Sequence, residues 1–341
     1  MTGLERITAA LRGEKPDRIP VMLHNFMAAA AEREVSMGKF REDPRVMADV
    51  FKHSVEKYAL DGVVVDLDTV TLAGSVGVKV DLPEDAPGRS HHGMLAELED
   101  IRKLKRVRVE DYKYVGIWLE AVRILKEYFG DEILIRGNCD QAPFSLASMV
   151  RGTQPWLTDL YLADPALVHD TLEYCTDVTC QFIRLMAQTG AHMVSNGDSP
   201  AGPEMISPEL YEEWALPYEK RVVEVAHEEG KSYALHICGD TGLILESMLK
   251  TGADAFEIDY KTPVEKAFGI LHDKAVFIGN VDPSGVLAHG TPDLVRVTTL
   301  ELLDVFSKTN RFILNSGCAL PPGTPEQNLF TFIEAARGYL Q

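Results

Sequence analysis

Cysteine is scarce in this chain, with five in 341 residues, at positions 139, 175, 180, 238 and 318. So few and so scattered, they exclude a disulfide framework of the secreted mini-domain kind. They are expected to remain thiols, and metal binding or catalysis better explains any that cluster. Positive charge is also short, since 34 Lys+Arg against 52 Asp+Glu leave a net −18. That excludes a general affinity for nucleic acid or an anionic membrane surface, but not a local basic pocket. No uninterrupted apolar run reaches bilayer length. The first twenty residues carry Glu5, Arg6, Arg12, Glu14, Lys15 and Asp17 and hold no apolar core of signal-peptide size. The expected location is cytoplasmic. No Walker or Rossmann glycine pattern follows a strand, so a nucleotide cofactor is unsupported, and no nucleophile elbow occurs.

What is present is a regular alternation. Hydrophobic residues make up 45% of the chain, enough for a large core, and one α/β barrel can occupy this length. Eight short apolar runs read as strands, at 19–23, 62–67, 133–136, 192–196, 232–236, 255–259, 276–279 and 311–315. Amphipathic stretches between them read as helices, among them 44–58, 118–128, 165–189, 208–229, 241–250 and 292–308. Strand–helix alternation predicts a parallel sheet, and eight repeats predict a (β/α)8 TIM barrel, taken as one α/β domain over residues 1–341. Residues at about 69–114 break the repeat. They read as an insertion after strand 2 that covers the barrel mouth, built from a strand pair or a loop.

Nearly every predicted strand ends in polar residues: His24-Asn25, Asp66 and Asp68, Asn138 and Asp140, Asn196 and Asp198, His236, Asp259, Asn280 and Asp282, and Asn315. These ends line the active site of such a barrel. Helix capping by Asn and Asp is the competing reading for each one. The most telling are Leu-His236-Ile-Cys238-Gly239 and Asn315-Ser-Gly-Cys318. On a strand, i and i+2 share a face, so His236 and Cys238 can point at one spot. A sulfur from a distant strand end, Cys318, completes a His-Cys-Cys set that suits Zn²⁺ with one position left for another ligand. As a pair alone, His236 and Cys238 read equally well as core residues. Cys175 and Cys180, five apart on one helix, read as packing. His91 and His92 read as a solvated loop.

The residues resemble those of the uroporphyrinogen decarboxylase superfamily, and within it the zinc-dependent methyltransferases of the methylcobalamin:coenzyme M methyltransferase-like branch, which work with methylcorrinoid proteins. The matching stretches are Leu4-Glu5-Arg6 to Pro16-Asp17-Arg18-Ile-Pro-Val, Gln141-Ala-Pro-Phe-Ser-Leu-Ala-Ser, Ile206 to Tyr218, His236-Ile-Cys-Gly239, Gly279-Asn-Val-Asp-Pro283 and Gly317 to Asn328. His236-x-Cys238 with Cys318 matches the zinc motif of the methyltransferase branch. The decarboxylase branch instead carries an arginine-rich segment after its first strand. Here that stretch is Val21-Met-Leu-His24-Asn-Phe-Met-Ala-Ala-Ala, with no arginine for a polycarboxylate tetrapyrrole.

The resemblance implies transfer of a methyl group between a methylcorrinoid, carried by a small corrinoid protein at the barrel mouth, and a small thiol, folate, methoxy compound or methylamine. It implies His236, Cys238 and Cys318 as metal ligands. By the zinc pattern of cobalamin-independent methionine synthase, it also implies an acid beside the metal, Asp259 first and Glu257 second. Asp198 is expected to contact substrate or a zinc ligand, or else to form an Asx-turn before Pro200. His24, Asn25, Asn280 and Asp282 are expected to contact substrate or corrinoid, or to form polar caps. A homodimer is compatible with this reading. The rivals are a metal-free decarboxylase or lyase of the same superfamily, and a non-catalytic corrinoid-binding protein.

Overall fold

A single sheet of eight parallel strands, taken in chain order, organises the computed structural model, which describes residues 1–339. The strands are β1 (Met22–Leu23), β2 (Gly62–Val65), β3 (Leu134–Gln141), β4 (Met193–Gly197), β5 (Ser232–Ile237), β6 (Ala255–Ile258), β7 (Val276–Val281) and β8 (Phe312–Ser316). Every neighbouring pair is parallel. A bridge between Val21 and Leu314 and the hydrogen bond from Leu314 N to Pro20 O (2.9 Å) draw the last strand to the first. Helices fill the connections, and the expected (β/α)8 barrel is what the chain forms.

The differences from the sequence reading have local causes. β1 is two residues rather than five. Pro20 has no N–H for the ladder, and the Val21 N–H goes to the Asp61 carboxylate at 2.9 Å. β3 runs on to Gln141 through a register shift between Asn138 and Gln141, where Asp140 takes φ 60°. This is a β-bulge that re-aims side chains at the barrel rim, and Asp is among the few residues that tolerate that backbone. The helix predicted over 208–229 is two, Pro208–Trp214 and Leu216–Glu228, separated at Ala215 two residues ahead of Pro217. Between β2 and β3 the expected excursion contains a helix (Thr71–Ser75) and a two-residue antiparallel ribbon (Val80–Asp81 with Arg89–Ser90), where a strand pair or loop was predicted.

Two layers of core hold the fold. The outer one packs helices on the sheet. The inner one fills the bottom of the barrel with Met22, Val64, Leu134, Met193, Ala234, Ala255, Val276, Ile278 and Ile313, so every strand contributes. The first helix, Gly3–Arg12, closes that end with Ile7 and Ala10. Its start carries a capping box from Thr2 and Glu5. Its close approach requires Gly3, since a Cβ there would stand 2.4 Å from the Asp61 carbonyl oxygen. With the bottom plugged by apolar groups, the barrel opens only at the C-terminal strand ends. Ile7→Ala should therefore lower unfolding free energy by about 2–4 kcal/mol, read from urea midpoints. An unchanged midpoint would show that the helix does not seal the barrel.

Candidate metal centre

Above the apolar plug the barrel interior turns ionic. Glu257, on β6, is fully buried, and its carboxylate takes Arg136 Nη1 from β3 on one side and His24 Nδ1 (2.9 Å) on the other. His24 Nε2 reaches Asp66 Oδ2 at 2.7 Å, and Asn138 Nδ2 donates to Asp66 Oδ1 at 2.9 Å. Burial pushes the His24 pKa down, but the charge of Glu257 and the Asp66 hydrogen bond outweigh it and raise the pKa to about 9. Burial likewise works against the Glu257 charge, and Arg136 and His24 hold its pKa well below the usual carboxylate range. The result is a chain of opposite charges, Arg136–Glu257–His24–Asp66, whose members compensate one another's desolvation.

The predicted metal ligands stand on this layer. His236 Nδ1 lies 2.9 Å from the Glu257 carbonyl oxygen, which can only accept, so Nδ1 carries the proton and Nε2 is free to ligate. Nε2 lies 3.1 Å from Cys238 Sγ, and Cys238 Sγ lies 3.9 Å from Cys318 Sγ. The three donor atoms all fall within 4.8 Å of one another. A tetrahedral ion with metal–sulfur bonds of about 2.3 Å holds its sulfurs about 3.8 Å apart, so the set is close to the required shape. Cys318 arrives there because Gly317 passes tightly over β6, where a Cβ would meet Tyr260 N at 2.5 Å. In the protein alone the three share protons. A hydrogen bond from the Cys318 thiol, aided by His236, lowers the Cys238 pKa to about 3. Burial opposes charge on His236, but Cys238 raises its pKa to about 10. The Cys318 thiol is pushed well above its ordinary value, first by its bond to Cys238.

All three ligands line one cavity of about 280 Å³, whose other walls include His24, Phe26, Arg136, Asp140 and Ser199. Of the residues expected to contact substrate, corrinoid or metal, only His24 joins them, beside the strand-end residues Asp66, Asp68, Asn138, Asp140 and Asn196. Both acids expected beside the metal have their carboxylate oxygens engaged by other groups. Both oxygens of Glu257 are held by Arg136 and His24. Asp259 accepts from Gly239 N and Lys261 N, each at 2.9 Å, and so fixes the loop that follows Cys238. Asp198 turns outward, where its Oδ1 accepts from Ser145 N (2.7 Å) and Ser145 Oγ (2.6 Å) at the start of the helix Pro143–Arg151. Asn25 donates to Ser54 Oγ behind β1. Asn280 donates to the carbonyls of Asp259 and Thr262. Asp282 caps the turn Pro283–Ala288 through Ser284 N and Gly285 N. Each of these last four bonds to backbone groups or neighbouring side chains rather than lining the cavity, although Asn25 Oδ1 and Asp198 Oδ2 have no partner, and capping explains Asp282.

Arg136 is the site residue that pattern reading passed over. Its signal was a cation closing the apolar run Ile133-Leu-Ile in a strand expected to be buried, which demands a buried anion nearby.

The comparisons agree on the whole length. The profile described as Uroporphyrinogen decarboxylase (URO-D) matches residues 2–339. Relatives named Methylcobamide:CoM methyltransferase MtbA, from Methanosarcina acetivorans and Methanosarcina mazei, are each 31% identical, over 99% of this chain and 98% of theirs. A solved structure titled methyltransferase from Methanosarcina mazei superposes with a TM-score of 0.90 at 21% identity, over 99% of this chain and 98% of that one, and so shares the fold.

The ionic layer has a pH signature. A His24 pKa raised from 6.5 to about 9 contributes stability that is fully present below pH 6.5 and is lost as pH rises through about 9. Urea midpoints of the native protein should therefore fall more between those limits than those of His24→Gln. Parallel curves would mean that His24 is not charged between its carboxylates.

Proposed function

The chain belongs to the uroporphyrinogen decarboxylase (URO-D) family, a family of enzymes by its relatives' names, and within it we propose a zinc-dependent, corrinoid-linked methyltransferase. The observation that carries this reading is the convergence of His236, Cys238 and Cys318 at the cavity, with no carboxylate among the described residues grouped with them. Three protein ligands and one open position describe a reactive zinc site rather than a structural one. The relatives named for methylcobamide and CoM support a methylcorrinoid and a small thiol as the two substrates. A folate, methoxy compound or methylamine would take the thiol's place if transfer ran toward the corrinoid. The corrinoid would be presented by a small partner protein at the open end of the barrel.

Bound by these ligands, zinc would lower the pKa of a thiol in the open position so that it is a thiolate near neutral pH. The chain's own residues do the rest. The Glu257 carbonyl keeps His236 in the tautomer whose Nε2 faces the metal. Asp259 anchors Gly239 and with it the Cys238 loop. Arg136 and His24 neutralise the carboxylate beneath, so the site stands over a balanced layer rather than a bare anion. The buried walls keep water from competing with the methyl acceptor.

Porphyrinogen decarboxylation is less well supported. Arg136 is the one arginine among the described residues lining the cavity, and Glu257 already holds it. Many substrate carboxylates would find no partners there.

Metal analysis and methyl-transfer assay test the reading together. The purified protein should carry about one zinc per chain and demethylate methylcob(III)alamin with a thiol acceptor. Cys318→Ala should lose the zinc and at least about 10²-fold in rate. Transfer that survives both that substitution and a chelator would overturn the zinc assignment.

A further inference from the structure

The cavity holds an unbalanced charge on the side that the metal does not occupy. Four carboxylates belong to its walls and floor, Asp66, Asp68, Asp140 and Glu257, against three cations, Arg41, Arg136 and His24. Each cation is balanced by a carboxylate, although Nε of Arg41 and of Arg136 has no hydrogen-bond partner. Arg136 and His24 serve Glu257, and His24 also serves Asp66. Arg41 lies 3.5 Å from Asp68, whose Oδ1 also accepts from Val70 N and Thr71 Oγ1. Two cysteine thiolates and a divalent ion would cancel. One carboxylate is left over, and it is Asp140.

Asp140 is 1% exposed and lines the cavity. Its Oδ2 accepts from Leu72 N at 2.6 Å, but Oδ1 has no partner at all. The Gln141 amide is close enough to favour its charge without completing a hydrogen bond. Burial, then the charge of Asp68, push its pKa above the ordinary value, so its ionised form lacks a counter-charge that a bound cation would supply. The β-bulge of β3 places it there, at φ 60°.

Resting on the zinc-thiol reading above, we infer that the small substrate of this cavity is a short thiol bearing one ammonium group, which binds Asp140 while its sulfur takes the open metal position. An anionic tail in the same place would face Asp140, Asp68 and Asp66, with Arg136 as the lining arginine and its charge already balanced by Glu257, and is disfavoured by the same charges.

A series of two-carbon thiols differing only in the tail tests this without altering the metal contact. On zinc-loaded protein, calorimetry should give the affinity order cysteamine, then 2-mercaptoethanol, then 2-mercaptoethanesulfonate, with about tenfold or more between the ends. Asp140→Asn keeps an acceptor for Leu72 N and a residue type that tolerates the positive φ. It should shrink that gap to about threefold or less. A sulfonate that binds as tightly as cysteamine, a gap unchanged in Asp140→Asn, or binding of none of the three would overturn the proposal. The wild-type order decides the matter even if the variant does not fold. Failure of the metal reading shows separately, as absent zinc. In zinc-free Cys318→Ala, propylammonium should still raise the melting temperature more than propanesulfonate does, because the hydrogen bond that holds Asp140 comes from Leu72 N and not from the metal ligands.

Discussion

A carboxylate buried in the middle of a barrel must be neutralised, and Glu257 governs the architecture around it. Its side chain is fully enclosed, so leaving it unpaired would cost several kcal/mol. The solution draws a residue from β3 (Arg136) and one from the end of β1 (His24) into a single ion chain that ends on Asp66 beyond β2. That chain divides the barrel interior. Below it lies an apolar plug sealed by the first helix, and above it a cavity with charged and polar side chains in its walls. The same residue, through its backbone carbonyl, sets the tautomer of His236. One position thus couples the electrostatics of the floor to the orientation of a proposed metal ligand.

The three proposed ligands come from two strand ends that are neighbours only across the barrel. The i, i+2 pair on β5 is given by strand geometry. Cys318 depends on the glycine that lets its loop pass over β6. Asp259, at the end of that strand, ties down the peptide after Cys238. In the proposed site, a carboxylate that holds a ligand's loop is as useful as one that binds the ion, because it would leave the fourth coordination position for a reactant. The side chains around the cavity include several carboxylates, and from them we infer a preference for a cationic small molecule.

Strand number, order and direction were legible because apolar runs and amphipathic helices alternate with few interruptions. The His236, Cys238 and Cys318 cluster was legible because metal chemistry restricts ligand type and strand geometry restricts spacing. The roles of the other polar strand ends were not. Asn280, Asp282, Asp198 and Asn25 look like His24 in one dimension, but their side chains are claimed by backbone amides, carbonyls or hydroxyls of adjoining elements. Only the pairing partner separates a cap from a contact, and the partner is remote in sequence. The bulge that turns Asp140 into the cavity had no sequence signal beyond a polar residue at the end of an apolar run. The break in the helix over 208–229 had a visible cause in Pro217 that periodicity alone overrode.

The coordination of the ion itself is the most direct check on this account. Zinc X-ray absorption on the loaded protein, before and after thiol is added, counts the sulfurs. The expectation is two sulfurs at about 2.3 Å with one imidazole nitrogen at about 2.0–2.1 Å, becoming three sulfurs when thiol binds. A first shell that lacks either cysteine, or a sulfur count that thiol does not change, would contradict it.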